Sequence, residues 1–222
     1  MASNRFWIIR GLLASIGICS ILTFSVIGPI TVLILFLTFL SICIFGKLTN
    51  SSYKLSSFGF IYISIATLSI LWFRESSQGL ISLSIIISTI MVTDVSAYIV
   101  GNWLGGPKLF KVISPNKTLS GFIGAAIFGV GWFYLTVSFF IQKYEISYLP
   151  IGILIVITSI FGDLFISFLK RRVGIKDTGF ILPGHGGLLD RADSILPVFI
   201  IIPIIVIIFD LIKDPSLIIL GW

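Results

Sequence analysis

The sequence predicts an all-α protein, a polytopic membrane helix bundle of about seven transmembrane helices with a cytoplasmic N-terminus. Three observations carry this expectation. Of 222 residues, 57% are hydrophobic and only 11% are charged, less than half of the roughly 25% found in soluble domains. Mean hydropathy is +1.14. Apolar runs that approach the ~20 residues of a spanning helix follow one another with only short polar breaks. Seven spans use roughly 140 residues, which leaves too few for a separate soluble domain. Any chemistry must therefore be built from helices and the loops that join them. Disordered, collagen-like, disulfide-framework and nucleic-acid-binding classes fail on the same composition. The net charge of +6 points to the membrane surface or to anionic ligands.

Spans are predicted near residues 7–26, 29–45, 58–73, 79–100, 119–140, 149–169 and 195–211. Arg5 and Arg10 lead into the first, which resembles a signal peptide but lacks a small-x-small cleavage site, so it is expected to be retained. Gly28-Pro29 makes the first break. Cys19 and Cys43 lie within apolar runs and read as packing residues. Leu217 to Trp222 is too short to span and is expected at the interface. With the N-terminus inside, 12 of the 15 Lys and Arg residues fall on the cytoplasmic side, against Arg74, Lys143 and Lys213 opposite. That is a positive-inside bias. Residues 1–90 are expected to form a scaffold, where two copies could meet as a homodimer. Residues 91–222 are expected to carry the catalysis.

The charges are unevenly spread. Residues 93–120 and 163–193 hold 13 of the 24, and both windows straddle the cytoplasmic end of a span. Asp94 sits inside an apolar run and shares a helix face with Ala97, Tyr98 and Gly101. Asp163 lies within a span, with Ser167, Lys170 and Arg171 on its face. Ionisable groups at such depths usually face a bundle interior or a wet cavity, although pairing with a nearby cation is the plainer reading. Asp190 and Asp193, at i and i+3, could hold a hard cation such as Mg²⁺. They could equally be a negative first turn that favours the next helix. Gly184-His185-Gly186-Gly187 contains the chain's one histidine. The glycines let backbone N–H groups approach a phosphate, and His185 reads either as an acid or as a polar loop residue. Ser114-Pro115-Asn116-Lys117-Thr118 precedes a span and reads as an anion cradle or as a loop ending in a capping Thr. Carboxylates for a metal together with many cations suit phosphoryl or nucleotidyl transfer.

Ser167-Phe168-Leu169-Lys170-Arg171, then Lys176-Asp177, then Leu182-Pro183-Gly184-His185-Gly186-Gly187-Leu188-Leu189-Asp190-Arg191-Ala192-Asp193 closely resembles the signature of phosphatidate cytidylyltransferases, the CDP-diacylglycerol synthases. Asp94-x-x-Ala97-Tyr98-x-x-Gly101 and Ser114-Pro115-x-Lys117-Thr118 are similar to further motifs of that family, in the expected order. Two positions depart from the pattern. Ala192 stands where a larger apolar residue or Thr is usual, and Ser120 stands where an acid is often found.

The resemblance implies that CTP and phosphatidate react to give CDP-diacylglycerol and pyrophosphate at the inner membrane of a bacterial cell, with the site facing the cytoplasm. It implies Mg²⁺ on Asp163 and Asp190 with Asp193 close by, and it allows a second, monovalent cation such as K⁺. It implies that Lys170, Arg171, Lys176 and Arg191 bind phosphates and that Ser114 and Lys117 seat the nucleotide. Thr118, Gly186 and Gly187 join the substrate contacts, and Asp177 and His185 join the catalytic group. Asp94 either supports the site or helps to hold a cation. The alternatives are a cytidylyltransferase acting on an isoprenoid-type lipid phosphate and, less favoured, an ion-coupled transporter.

Overall fold

The computed structural model describes residues 53–110, 113–142, 144–172, 174 and 192–220, with side chains from residue 61 onward. The spans predicted at 7–26 and 29–45 lie outside these residues. So do the candidate residues Lys176, Asp177, His185, Gly186, Gly187, Asp190 and Arg191.

In chain order the elements are α1 (Tyr53–Arg74), α2 (Gly79–Leu104), β1 (Lys108–Phe110), β2 (Ser114–Thr118), α3 (Leu119–Ile141), a 3₁₀ turn (Ile146–Tyr148), α4 (Leu149–Arg172), α5 (Ile195–Ile208) and α6 (Leu217–Leu220). The helices overlap predicted span or interface segments, whereas the 3₁₀ turn and the two strands, which pair antiparallel, fall where loops are expected. Among the described residues, three segments are long and apolar enough to cross a membrane: Gly79–Leu104, Leu119–Ile141 and Ile146–Arg172. α5 is shorter than the predicted 195–211. Asp210 adopts a left-handed conformation with φ 55°, which Asp tolerates better than most residues and which ends a helix.

Small residues bring the helices together. A Cβ on Gly121 of α3 would lie 2.6 Å from the Ala97 carbonyl of α2, and one on Gly101 would lie 2.8 Å from the Thr118 hydroxyl. Farther along the same seam, Gly124 faces Val100 and Gly129 faces Thr93. Helices in lipid gain no hydrophobic drive from meeting, so close backbone approach through small residues supplies the attraction. Gly152 of α4 receives the Phe133 ring of α3 in the same way, and Gly162 of α4 receives Pro197 of α5. Ala125, Val156 and Ile160 form a core cluster between α3 and α4, with Ala97 of α2 packed on it. Phe73 of α1 meets Phe199 of α5 edge-on at 6.4 Å.

Several buried hydroxyls in these apolar helices are satisfied locally, while those of Ser82 and Ser138 have no hydrogen-bond partner. Thr89 donates to the Ile85 carbonyl, Thr93 to Thr89 and Ser159 to Val156, the back-bonding open to Ser and Thr within helices. On the outer side of α3, Ile127, Phe128, Leu135 and Phe139 are exposed. An apolar helix with an uncovered apolar side fits lipid surroundings.

The two ends of the bundle differ. At one end, Ser77 in the α1–α2 turn donates to Asp214, and the Ser216 backbone N–H donates to the same carboxylate at 3.1 Å. These bonds join that turn to the segment after α5. The other end carries the hairpin and the charged termini of α4 and α5.

Candidate active site

The hairpin is anchored before it presents any charge. Gly105 and Gly106 turn the chain out of α2 with φ of 63° and 112°, angles that glycine adopts without steric cost. Lys108 pairs with Thr118 and Phe110 with Ser114. The Leu119 N–H donates to the Pro107 carbonyl at 3.0 Å. Thr118 is the N-cap of α3, its hydroxyl accepting from the Gly121 N–H at 3.2 Å. Ser120, at the position where the family pattern often has an acid, donates to the Gly105 carbonyl and lies 3.1 Å from the Thr118 hydroxyl. Ser120 therefore closes the base of the hairpin, and Thr118 spends its hydroxyl on the fold. Ser114 and Lys117 stand on β2 above this base.

Lys117 reaches down to α4, its Nζ 2.6 Å from Asp163 Oδ2, with side chains 28% and 30% exposed. Ser167, one turn farther along α4, donates to Asp163 Oδ1 at 3.3 Å. The plainer expectation for Asp163, a structural ion pair, is thus met in part. The pair nevertheless remains open enough for a ligand to reach. At the end of α4, the Arg171 Nε donates to the Ile113 carbonyl at 3.4 Å, tying the helix terminus to the hairpin. Lys170 Nζ stands 4.0 Å from Asp193 Oδ2. The Gly162 contact explains why Asp193 lies here, since a Cβ at that position would fall 3.2 Å from the Asp193 carbonyl. The helix carrying Asp163 therefore packs directly on the turn carrying Asp193. Asp94 joins from α2 through Ser194, whose hydroxyl donates to Asp94 Oδ2 at 2.8 Å.

Asp163, Lys117, Lys170, Arg171 and Asp193 are thus brought to one end of the bundle, with Asp94 linked to them through the Asp193–Ser194 turn. Among the described residues no three His, Cys, Asp or Glu side chains group as a ready metal site. Mg²⁺ asks for less, usually one or two carboxylates plus substrate phosphates. Asp163 and Asp193 offer hard oxygen donors that are partly accessible, so the donors present fit such an ion.

Residues 3–209 match the Cytidylyltransferase family. The chain belongs to that family. The matched range includes the Asp94 segment, the hairpin, α4 and α5. Among its relatives is a phosphatidate cytidylyltransferase of Staphylococcus haemolyticus (strain JCSC1435), 36% identical over 166 residues, 72% of this chain and 63% of that protein. Another, from Staphylococcus epidermidis (strain ATCC 12228 / FDA PCI 1200), is 35% identical over 169 residues with the same coverage. The phosphatidate cytidylyltransferase of Staphylococcus aureus (strain COL) is 32% identical over 213 residues, 91% of this chain and 81% of that protein. The match spans less than two thirds of the length of the first two relatives.

Within the family frame, Ala97 and Gly101 of the Asp94 motif act in packing, since both lie on the seam with Gly121. Three serines that sequence reasoning left outside the site enter it. Ser167 could be found from its place one turn after Asp163. Ser120 could be found from its departure from the family pattern. Ser194 gives no signal beyond following the second aspartate of the pair.

Proposed function

We propose that this chain is an integral membrane nucleotidyltransferase that forms CDP-diacylglycerol and pyrophosphate from CTP and phosphatidate. The observation that carries this reading is the Lys117–Asp163 pair at the charged end of the bundle, built from two of the family-like motifs. The proposed topology has seven spans, a cytoplasmic N-terminus and the site on the cytoplasmic side of a bacterial inner membrane. The 12-to-3 distribution of basic residues supports it.

Phosphatidate approaches from the inner leaflet and CTP from the cytoplasm. A lipid phosphate oxygen attacks the α-phosphorus in line, the bond from that phosphorus to the bridging oxygen breaks, and pyrophosphate departs. The nucleophile is already an anion, so no strong general base is required. Ser114 and Lys117 seat the nucleotide. Lys170, Arg171, Lys176 and Arg191 spread their charge over the phosphates, where it opposes the negative charge that builds up on the leaving group. In this reading Gly186 and Gly187 contribute substrate contacts, and Asp177 and His185 belong to the catalytic group. Thr118 holds the start of α3, and Asp94 buttresses the site from α2. Asp163, Asp190 and Asp193 would hold Mg²⁺, which when bound supplies Lewis-acid polarisation of phosphate oxygens. A monovalent ion such as K⁺ is compatible with the remaining carboxylate oxygens, and homodimerisation through the N-terminal spans is part of the same proposal.

The test is a lipid-extract assay with radiolabelled CTP, offering phosphatidate or an isoprenoid phosphate as acceptor. CDP-lipid is expected from phosphatidate alone, and Asp190→Asn is expected to abolish it. Product from the isoprenoid phosphate only would overturn the substrate assignment. Wild-type activity in Asp190→Asn would overturn the metal assignment.

A further inference from the structure

The residue before α5 directs its side chain to a distant helix. Ser194 precedes α5 with helical backbone angles, φ −86° and ψ −26°, and its hydroxyl makes no bond to that helix. A side-chain cap bond needs non-helical backbone at the capping residue, so this hydroxyl is left to find a partner elsewhere. Here the hydroxyl, on a residue only 3% exposed, donates instead to Asp94 Oδ2 on α2, 2.8 Å away and 100 positions earlier in the chain. A hydrogen bond to a carboxylate is stronger than a neutral one.

The surroundings give the bond its role. Ser194 follows Asp193, whose carboxylate faces Lys170 at 4.0 Å. The backbone there is pinned from the other side, because Gly162 leaves no room between α4 and the Asp193 carbonyl or the Pro197 ring. Ser194 therefore couples two carboxylates on separate elements, fixing Asp94 of α2 relative to the Asp193 turn and through it to α4.

We infer that Ser194 is a positioning residue of the site, acting through the Asp94 carboxylate that its hydroxyl holds. This rests on the activity proposed above. The experiment is a double-mutant cycle on the full-length protein in lipid nanodiscs, with Ser194→Ala, Asp94→Asn, their combination and Ser194→Thr. CTP-dependent CDP-lipid formation is measured to give kcat and the KM for each substrate.

Ser194→Ala is expected to lower kcat by about tenfold or more, the scale of one hydrogen bond to a charged group, while KM for CTP changes by less than about threefold. In the Asp94→Asn background the same change is expected to cost less than about twofold, because the acceptor it orients has already been altered. Ser194→Thr, which keeps the hydroxyl, is expected to recover most of the rate. A purely structural serine would instead give multiplicative losses in the double variant, and that result overturns the inference. So does full activity in Ser194→Ala. If the alanine variant does not yield folded protein, Ser194→Cys, nearly isosteric with a weak donor, carries the same comparison. A wild-type protein that makes no CDP-lipid overturns the activity reading itself, and the positioning role with it. Activity in wild type with multiplicative losses overturns the positioning role alone.

Discussion

Lys117 and Asp163 meet because neither could be left alone where the chain places them. A carboxylate well inside an apolar helix is costly unless it is paired or wet, and this one is both, with an ammonium at 2.6 Å and roughly 30% of its side chain accessible. Pairs that exposed contribute about 0–1 kcal/mol to stability. The conserved charge of Lys117→Arg should therefore retain much of the turnover, whereas Lys117→Met should lower it by about a hundredfold and shift the thermal midpoint only slightly. Turnover and differential scanning measurements on the same preparations check this, and a large stability loss with a modest rate loss would make the pair structural. At this scale the sequence announced Asp163 and Lys117 through their types and neighbours. It could not announce the contact between them, because the hairpin that delivers Lys117 depends on backbone bonds such as Leu119 N–H to Pro107 carbonyl. Ser194 was less legible still, since its role rests on a partner 100 residues away.

Helices α2, α3 and α4 were readable almost to their ends, because long apolar runs punctuated by Gly, Pro and charge leave few alternatives. The hairpin was not readable. Strands of three and five residues are too short to show alternation, and Ser-Pro-Asn-Lys-Thr has the composition of a loop. What composition did carry, unrecognised, was the seam. Gly129 and Gly131 look alike in sequence, yet a Cβ on Gly129 would lie 2.3 Å from the Thr93 hydroxyl while one on Gly131 meets nothing within 4 Å. Gly129→Ala should destabilise the protein by about 1–3 kcal/mol through overpacking. Gly131→Ala should be neutral or stabilising by up to about 1 kcal/mol, because alanine is the better helix former. Thermal unfolding of the two variants in one detergent decides it. Equal effects would mean that α2 and α3 do not meet as described.

For the molecule as a whole, charge gathers at one end of the described bundle, and the structure shows how the other end is held. Burial alone would raise the pKa of Asp214, but hydrogen bonds from the Ser216 and Ser77 side chains and backbone outweigh it, and the carboxyl sits below its usual value. A carboxylate with a depressed folded-state pKa adds stability that is present above its unfolded value and lost as pH falls through the folded one. Ser77→Ala should accordingly lower the thermal midpoint at neutral pH. The gap to wild type should narrow as pH is taken from about 6 to about 3, across and below the ordinary carboxylate range. A gap independent of pH would show that Ser77 acts by some other route.

The glycine seam has one more consequence, concerning traffic. With the Gly121 backbone against the Ala97 carbonyl, Gly124 on Val100 and Gly129 on Thr93, the crevice between α2 and α3 is shut to anything as wide as an acyl chain. Under the activity proposed above, a two-tailed lipid would be kept out along that wall. The seam is then a closed wall of the bundle, and any opening to the charged end lies along another flank.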